Sequence, residues 1–214
     1  MTTQRSIRSA RPAHDEARTR FRPAPWLFAA GLIGVGAGLR VLLRDLPNFA
    51  PVAALALFAG YYFRSLLPAL CVPLGVMALS DLVLGGYDPR MMAVVYGMLA
   101  LPVFLRSPLR RYLGLTPGKA GAATAATAGL LGCSLASSVL FFLVTNFACW
   151  LSMGLYTLDA SGLLHCYQQA LPFFRHTLCG DLVFATVLFG GYALAVTAGW
   201  SPAPGQIEPS GGLR

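Results

Sequence analysis

The chain has 214 residues, 56% of them apolar and only 11% charged, with a formal net charge of +8. Soluble domains carry about a quarter charged residues, and a fold of this size could not hide so much apolar surface from water. These values exclude a soluble enzyme, a disordered regulator and a nucleic-acid module, whose basic face is missing because the positive charge sits in short loops and a tail. What is left is an all-α polytopic membrane protein with a single domain.

Residues 1–25 form a tail of different composition, with Arg5, Arg8, Arg11, Arg18, Arg20 and Arg22 beside Asp15 and Glu16. It has no apolar run of the kind a secretory signal needs, and reads as a disordered cytoplasmic tail that touches anionic lipid. A transmembrane domain follows over residues 26–200, with six apolar segments. Trp26–Leu43 is long enough to cross a bilayer core of ~30 Å. Ala50–Phe63 is short and reads as a tilted or half-buried helix. Leu66–Leu84 contains Pro68 and Pro73, which predict a kink. Met91–Leu105 is short again, and Ala120–Val144 is long and rich in small residues. The last segment runs from about Leu171 to Val196 and carries Arg175, His176 and Asp181. Backbone polar groups in lipid must be satisfied internally, and the segments lack the alternation of a barrel strand, so they read as helices. Residues 201–214, rich in Pro and Gly, form a second flexible tail.

Charge orients this six-helix bundle. With the tail in the cytoplasm, Arg64, Arg106, Arg110, Arg111, Lys119 and Arg214 join its six arginines inside, leaving Arg40, Arg44, Arg90 and Arg175 outside. The positive-inside rule then places both termini in the cytoplasm. Small residues recur every four positions as Ala30, Gly34 and Gly38 on the first segment. They do so twice on the fifth, as Gly121, Ala125, Gly129, Cys133 and Ser137 and as Ala120, Thr124, Ala128, Gly132 and Ala136. Such stripes let helices approach closely. They serve either packing within the bundle or, most plainly for Ala30, Gly34 and Gly38, docking of a partner membrane protein.

Under this topology three loops share the outer face. The first holds Asn48. The third holds Asp81, Tyr87 and Asp88. The fifth is the longest, running from Thr145-Asn146-Phe147 through Trp150, Tyr156, Asp159, His165 and Tyr167 to Phe173. Amide groups at membrane level must be hydrogen-bonded and charged ones are functional candidates. Asn48, Asp81, Asn146 and Asp181 are therefore candidates to orient a ligand, with Trp150, Tyr156, Tyr167 and Phe173 as stacking surface and Arg40 as a countercharge. Each has a plainer role open to it. The aromatics suit an interfacial belt, the two Asn suit helix caps, and Asp81 suits a structural pair with Arg40 or Arg90.

Catalytic motifs are missing. Gly114-Leu115-Thr116-Pro117-Gly118-Lys119-Ala120 is one residue short of a phosphate loop and lacks its Ser/Thr. His14, His165 and His176 are too scattered for a zinc helix motif, so neither metal nor cofactor is expected. Asp81, Asp181, His165 and His176 remain the set available to a membrane-embedded enzyme as acid, base or ligands. Cys149 and Cys166 are available to pair on the oxidising side of the membrane, but nothing in the sequence fixes their distance.

Leu46–Phe63, Val72–Asp88, Ser137–Leu151 and Tyr156–Gly190, with their Pro-Asn-Phe-x-Pro, Ser-Asp-Leu and Thr-Asn-Phe runs, resemble an uncharacterised family of small bacterial membrane proteins. The resemblance runs from Trp26 to about Val196. More distantly, the plan is similar to the S components of energy-coupling factor transporters. That similarity implies a vitamin-like or other nutrient ligand under the outer loops, a transmembrane coupling subunit against the first helix, and separate ATPases as the energy source. A membrane enzyme and a structural or assembly protein are the two alternatives.

Overall fold

The computed structural model describes residues 23–113 and 120–198. The basic tail up to residue 22, the segment 114–119 with Lys119, and the C-terminal tail lie outside them. Among the described residues there are seven α-helices and one 3-10 helix, and no strand.

The first helix, α1 (Pro23–Leu42), starts with Pro23 and Pro25 in a turn whose N–H groups have no helical partner, so proline costs nothing there. It ends with Arg40 in its last turn, where positive charge suits the helix dipole. α3 (Leu66–Leu84) continues through Pro73, with Pro68 in its first turn. α1 lies along α3, and glycines set the distance between them. A Cβ on Gly36 would sit 2.5 Å from Leu55 and 2.7 Å from Val76, and one on Gly75 would sit 2.8 Å from Ile33.

Between them runs α2 (Val52–Tyr62), and here the sequence expectation changes. Rather than tilted and half-buried, α2 is the centre of the bundle, with every residue from Val52 to Tyr61 buried. Its sequence, VAALALFAGYY, is apolar on all sides, the pattern of a helix surrounded by protein. At 11 residues it is ~16 Å long, too short to cross a bilayer core of ~30 Å.

The fourth apolar segment is longer than expected. α4 (Pro89–Ala100) is capped by Asp88, whose carboxylate accepts from the N–H groups of Arg90 and Met91, each at 3.0 Å. A 3-10 turn over Leu101–Leu105, with Pro102 in it, leads into α5 (Arg106–Tyr112).

The last two helices differ most from expectation. α6 (Ala120–Ser152) and α7 (Ala160–Thr197) have 33 and 38 residues, ~50 Å and ~57 Å. The long fifth loop is reduced to residues 153–159, and α7 starts 11 residues before Leu171. Asp159 makes that early start possible, because its carboxylate accepts from the Gly162 N–H at 2.7 Å and caps the helix. Pro172, expected near the start of the helix, lies inside it. Gly180 of α7 lies beside Phe49 and Ala50, just before α2. Phe189 and Tyr192 lie against Phe58 and Tyr61, near the end of α2. Residues 160–176 therefore reach past the start of α2, paired with the end of α6 as a hairpin.

Five helical stretches are long and apolar enough to cross a membrane: 25–42, 66–84, 89–111, 126–152 and 160–197. Large apolar side chains such as Leu42, Leu67, Leu82, Val187 and Leu194 are exposed on them. The chain is a multi-pass helical membrane protein.

Candidate functional site

The chain leaving α1 turns inward at Asn48, whose φ of 59° lies in the left-handed region that Asn tolerates better than most residues. Phe49 and Ala50 then run against Gly180, where a Cβ would come within 3.3 Å of the Phe49 ring. α2 begins at Pro51 with no side-chain cap.

Above this start lies a cavity of about 370 Å³. Its walls are mostly apolar, with Leu43, Phe49, Val52, Ala53, Met77, Val95 and Phe141 among them, and its polar groups are Arg40, Arg44, Asn48, Thr177 and Asp181. A second lobe of about 230 Å³ shares Asn48, Val95, Phe141 and Thr177 with it. That lobe extends along the hairpin to Asn146, Cys149 and Phe173. The first three N–H groups of a helix have no helical acceptor, and in α2 they belong to Val52, Ala53 and Ala54, the first two of which line the cavity.

Two buried polar clusters flank the cavity. In one, Arg40 donates to Asp81 in an ion pair and also contacts the Ser80 hydroxyl. The Tyr96 hydroxyl donates to the other Asp81 oxygen at 2.8 Å, so both carboxylate oxygens are engaged. Of the two countercharges weighed for Asp81, the structure selects Arg40. In the loop beyond, burial and then the negative charge of Asp81 hold the Tyr87 hydroxyl above its ordinary pKa. In the other cluster Asp181 is 3% exposed and accepts from the Ser138 hydroxyl at 2.7 Å. Ser138 also lies 3.0 Å from the Ser134 carbonyl, so its single proton has two acceptors. The buried Ser134 hydroxyl has no hydrogen-bond partner.

The structure brings part of the candidate set together. Asn48 and Asp181 line the main cavity, and Asn48, Asn146 and Phe173 line the second lobe. Asp81 reaches the cavity only through Arg40. Neither Asn caps a helix: Asn48 lies before the Pro51 cap, and the Asn146 amide donates to the Phe142 carbonyl at 2.7 Å inside α6. Trp150, Tyr156 and Tyr167 stand off both lobes. The Trp150 indole donates to the Thr157 carbonyl across the hairpin turn at 2.8 Å, and Tyr156 lies edge-on to His165. The Tyr167 hydroxyl donates to the Leu143 carbonyl at 2.7 Å. These three aromatics brace the hairpin, and aromatic surface at the cavity comes instead from Phe49, Phe141, Phe142, Phe173 and Phe174.

The enzyme set does not converge. His165, His176 and Asp181 lie along the one helix α7, with both histidines exposed and Asp181 buried. No metal-ligating group of three appears among the described residues. The stripe of Ala30, Gly34 and Gly38 faces away from the bundle, with open space where a Cβ on either glycine would be. On α6 the stripe of Gly129, Cys133 and Ser137 turns inward and that of Ala128, Gly132 and Ala136 turns outward.

Sequence reasoning missed Ser134, Ser138, Tyr96 and Thr177. Ser138 had a signal, since a buried acid needs a donor on the facing helix. Tyr96 had none, because its contact with Asp81 depends on how α4 rotates against α3.

The model of the family of unknown function DUF6580 matches residues 21–203, and the chain belongs to that family. No curated protein and no solved structure matches the chain.

Proposed function

We propose that this DUF6580 member binds a small nutrient in the cavity beside the start of α2, as the ligand-binding part of an uptake system in a bacterial inner membrane. One observation carries the reading. Arg40 from α1, Asn48 from the first loop and Asp181 from α7 line one mostly apolar cavity, with Arg44 and Thr177 as its other polar groups. A few placed polar groups in an apolar hollow is the usual construction of a small-ligand site. The lining offers donors, at Arg44 and at Arg40 beside its pair with Asp81, and an acceptor at Asp181. This suits a small amphiphilic ligand with both hydrogen-bonding characters and a flat apolar part against Phe49 and Phe141.

Counting the buried α2 together with its flanking residues 46–51 and 63–65 as the second of six crossings, both termini fall in the cytoplasm and this cavity opens on the outer side, the orientation that the distribution of basic residues favours. The outward stripe of Ala30, Gly34 and Gly38 is the docking face for a transmembrane coupling subunit. Separate ATPases supply the energy. The reading assigns no chemical step to this chain.

Native mass spectrometry of gently solubilised protein tests the binding and the partners together. A small molecule should accompany the wild-type chain and be lost from Asp181→Asn and Asn48→Ala, with thermal stability of Asp181→Asn in detergent nearly unchanged. A large stability loss with undiminished ligand retention would assign Asp181 to fastening α6 on α7. Orientation is tested separately with single cysteines at positions 119 and 159. A membrane-impermeant reagent should reach only 159 in intact cells, and the reverse would invert the topology.

A further inference from the structure

The seam between α6 and α7 has a readable register. Moving outward from Ser138 and Asp181, Phe142 pairs with Phe174, their ring centroids 4.6 Å apart. One helical turn further on α6, the Asn146 carbonyl accepts from the Cys166 thiol at 3.4 Å. Cys149 is three residues beyond Asn146, on the same face of α6. Cys149 therefore lies on the part of α6 that the Cys166 thiol touches. Both are free thiols in the structure. Gly162, Cys166 and Ala170 follow one another at four-residue steps on α7 and are all buried. Small side chains on this face of α7 leave room for close approach of α6 beside Cys166.

We infer that Cys149 and Cys166 are a reversible disulfide site that fastens the outer end of the α6–α7 hairpin. The inference rests on the outward orientation proposed above, which exposes this end to an oxidising medium. The oxidant is a disulfide, either a small one or that of a thiol–disulfide oxidoreductase. Cys149 is half-buried and lines the second lobe of the cavity, whereas Cys166 is 2% exposed. Cys149 is therefore the thiol an incoming disulfide can reach. Its thiolate attacks one sulfur of the oxidant, whose other sulfur leaves as a thiolate and takes up a proton. Cys166, as thiolate, then attacks the Cys149 sulfur and expels the second half of the oxidant as a thiol. Two protein thiols and one disulfide become one protein disulfide and two free thiols. The bond ties the α6 wall of the second lobe to α7, so oxidation rigidifies that lobe.

The test uses full-length protein with Cys71, Cys133 and Cys179 replaced by alanine, purified in detergent and treated with oxidised glutathione. Peptide mapping by mass spectrometry should show loss of both remaining thiols and a single cross-link between positions 149 and 166. Cys166→Ser should retain a glutathione adduct on Cys149, and Cys149→Ser should leave Cys166 unmodified. Adducts on both cysteines without a cross-link, or no reaction at either, would overturn the inference. A second arm traps free thiols by alkylation in intact cells. A pair that cross-links in detergent but is fully reduced in cells sinks the outward orientation and, with it, formation of the bond in the cell, while leaving the pair's geometry standing.

Discussion

At the C-terminal end of α2, the inner end in the proposed orientation, the Arg110 guanidinium donates to the carbonyls of Gly60, Tyr61 and Phe63 at 3.0, 3.0 and 2.6 Å. At its outer end no side chain caps the helix, and Val52 and Ala53 open onto the cavity. Both ends lie inside an apolar bundle, where every backbone polar group needs a partner. The end fastened by the protein's own side chain is structural. The end without a side-chain cap is where Arg40, Asn48 and Asp181 gather. The contrast supports the proposed site better than any single residue does.

The outer end has one fastening of its own, and removing it should have the largest effect. Asp81→Ala strands the Arg40 charge and should lower stability by about 4 kcal/mol. The double replacement Arg40→Ala with Asp81→Ala should recover much of this in thermal unfolding, and no recovery would show that the pair is not the fastening. Arg110→Ala should cost about 3 kcal/mol by undoing three charge-assisted hydrogen bonds at the inner end. Arg110→Lys should restore only part of that, because an ammonium is a point charge where the guanidinium is a fork.

The same small substitution at the two ends sharpens the comparison. Gly60→Ala puts a Cβ 2.5 Å from the Val103 carbonyl oxygen and 2.9 Å from its Cα, backbone that cannot move aside, and should cost about 2 kcal/mol. Gly180→Ala meets the Phe49 ring at 3.3 Å and the backbone of Phe49 and Ala50 at 3.4 and 3.5 Å, close to ordinary contact, and should cost less than about 1 kcal/mol. Equal losses at the two sites would mean that the outer end is packed as tightly as the inner one. Smaller still is Asn48→Gly, which fits the positive φ and should change stability by under about 1 kcal/mol. It should nevertheless abolish ligand retention, whereas retention equal to wild type would remove Asn48 from the site.

The smallest expected effect lies on the hairpin turn. The Gly162 N–H, then the Ser161 and Thr157 hydroxyls, hold the Asp159 carboxyl below the ordinary aspartate pKa. A depressed value in the folded state means that the cap contributes fully above the unfolded pKa and is lost as pH falls through the folded one. Amide exchange at Ser161–Leu163 should therefore quicken on acidification through that range, and Asp159→Asn should flatten the dependence. Exchange that ignores pH beyond its intrinsic chemical dependence would show that α7 starts without this cap.

Much of the fold was legible in the sequence. Apolar runs gave every helix a location, because burying a helix in lipid or protein demands them whatever the packing. Boundaries were less legible where polar residues ride on a helix that leaves the apolar layer. His165, Gln168 and Gln169 look like a loop because they belong on a solvated surface, and a solvated helix face has the same composition. Of the candidate site, Asn48, Asn146, Phe173 and Asp181 were legible because polar or aromatic groups at membrane depth stand out. Trp150, Tyr156 and Tyr167 stood out equally, but the direction of a side chain depends on helix rotation, and that rotation is set by contacts far away in sequence.

Composition and hydropathy by themselves determined the solvent this chain folds in and, through it, the helical class, since lipid offers the backbone no hydrogen bonds. Only the tertiary structure decided that α2, the least span-like segment, is the core. It also decided that Arg110 caps this helix, and that Asp81 is consumed by Arg40 while Asp181 faces the cavity. Those outcomes depend on which residues from distant segments arrive at the same depth and rotation. Close packing around α2 fixes both, with Gly36, Gly60 and Gly75 admitting their neighbours to within a methyl group's width.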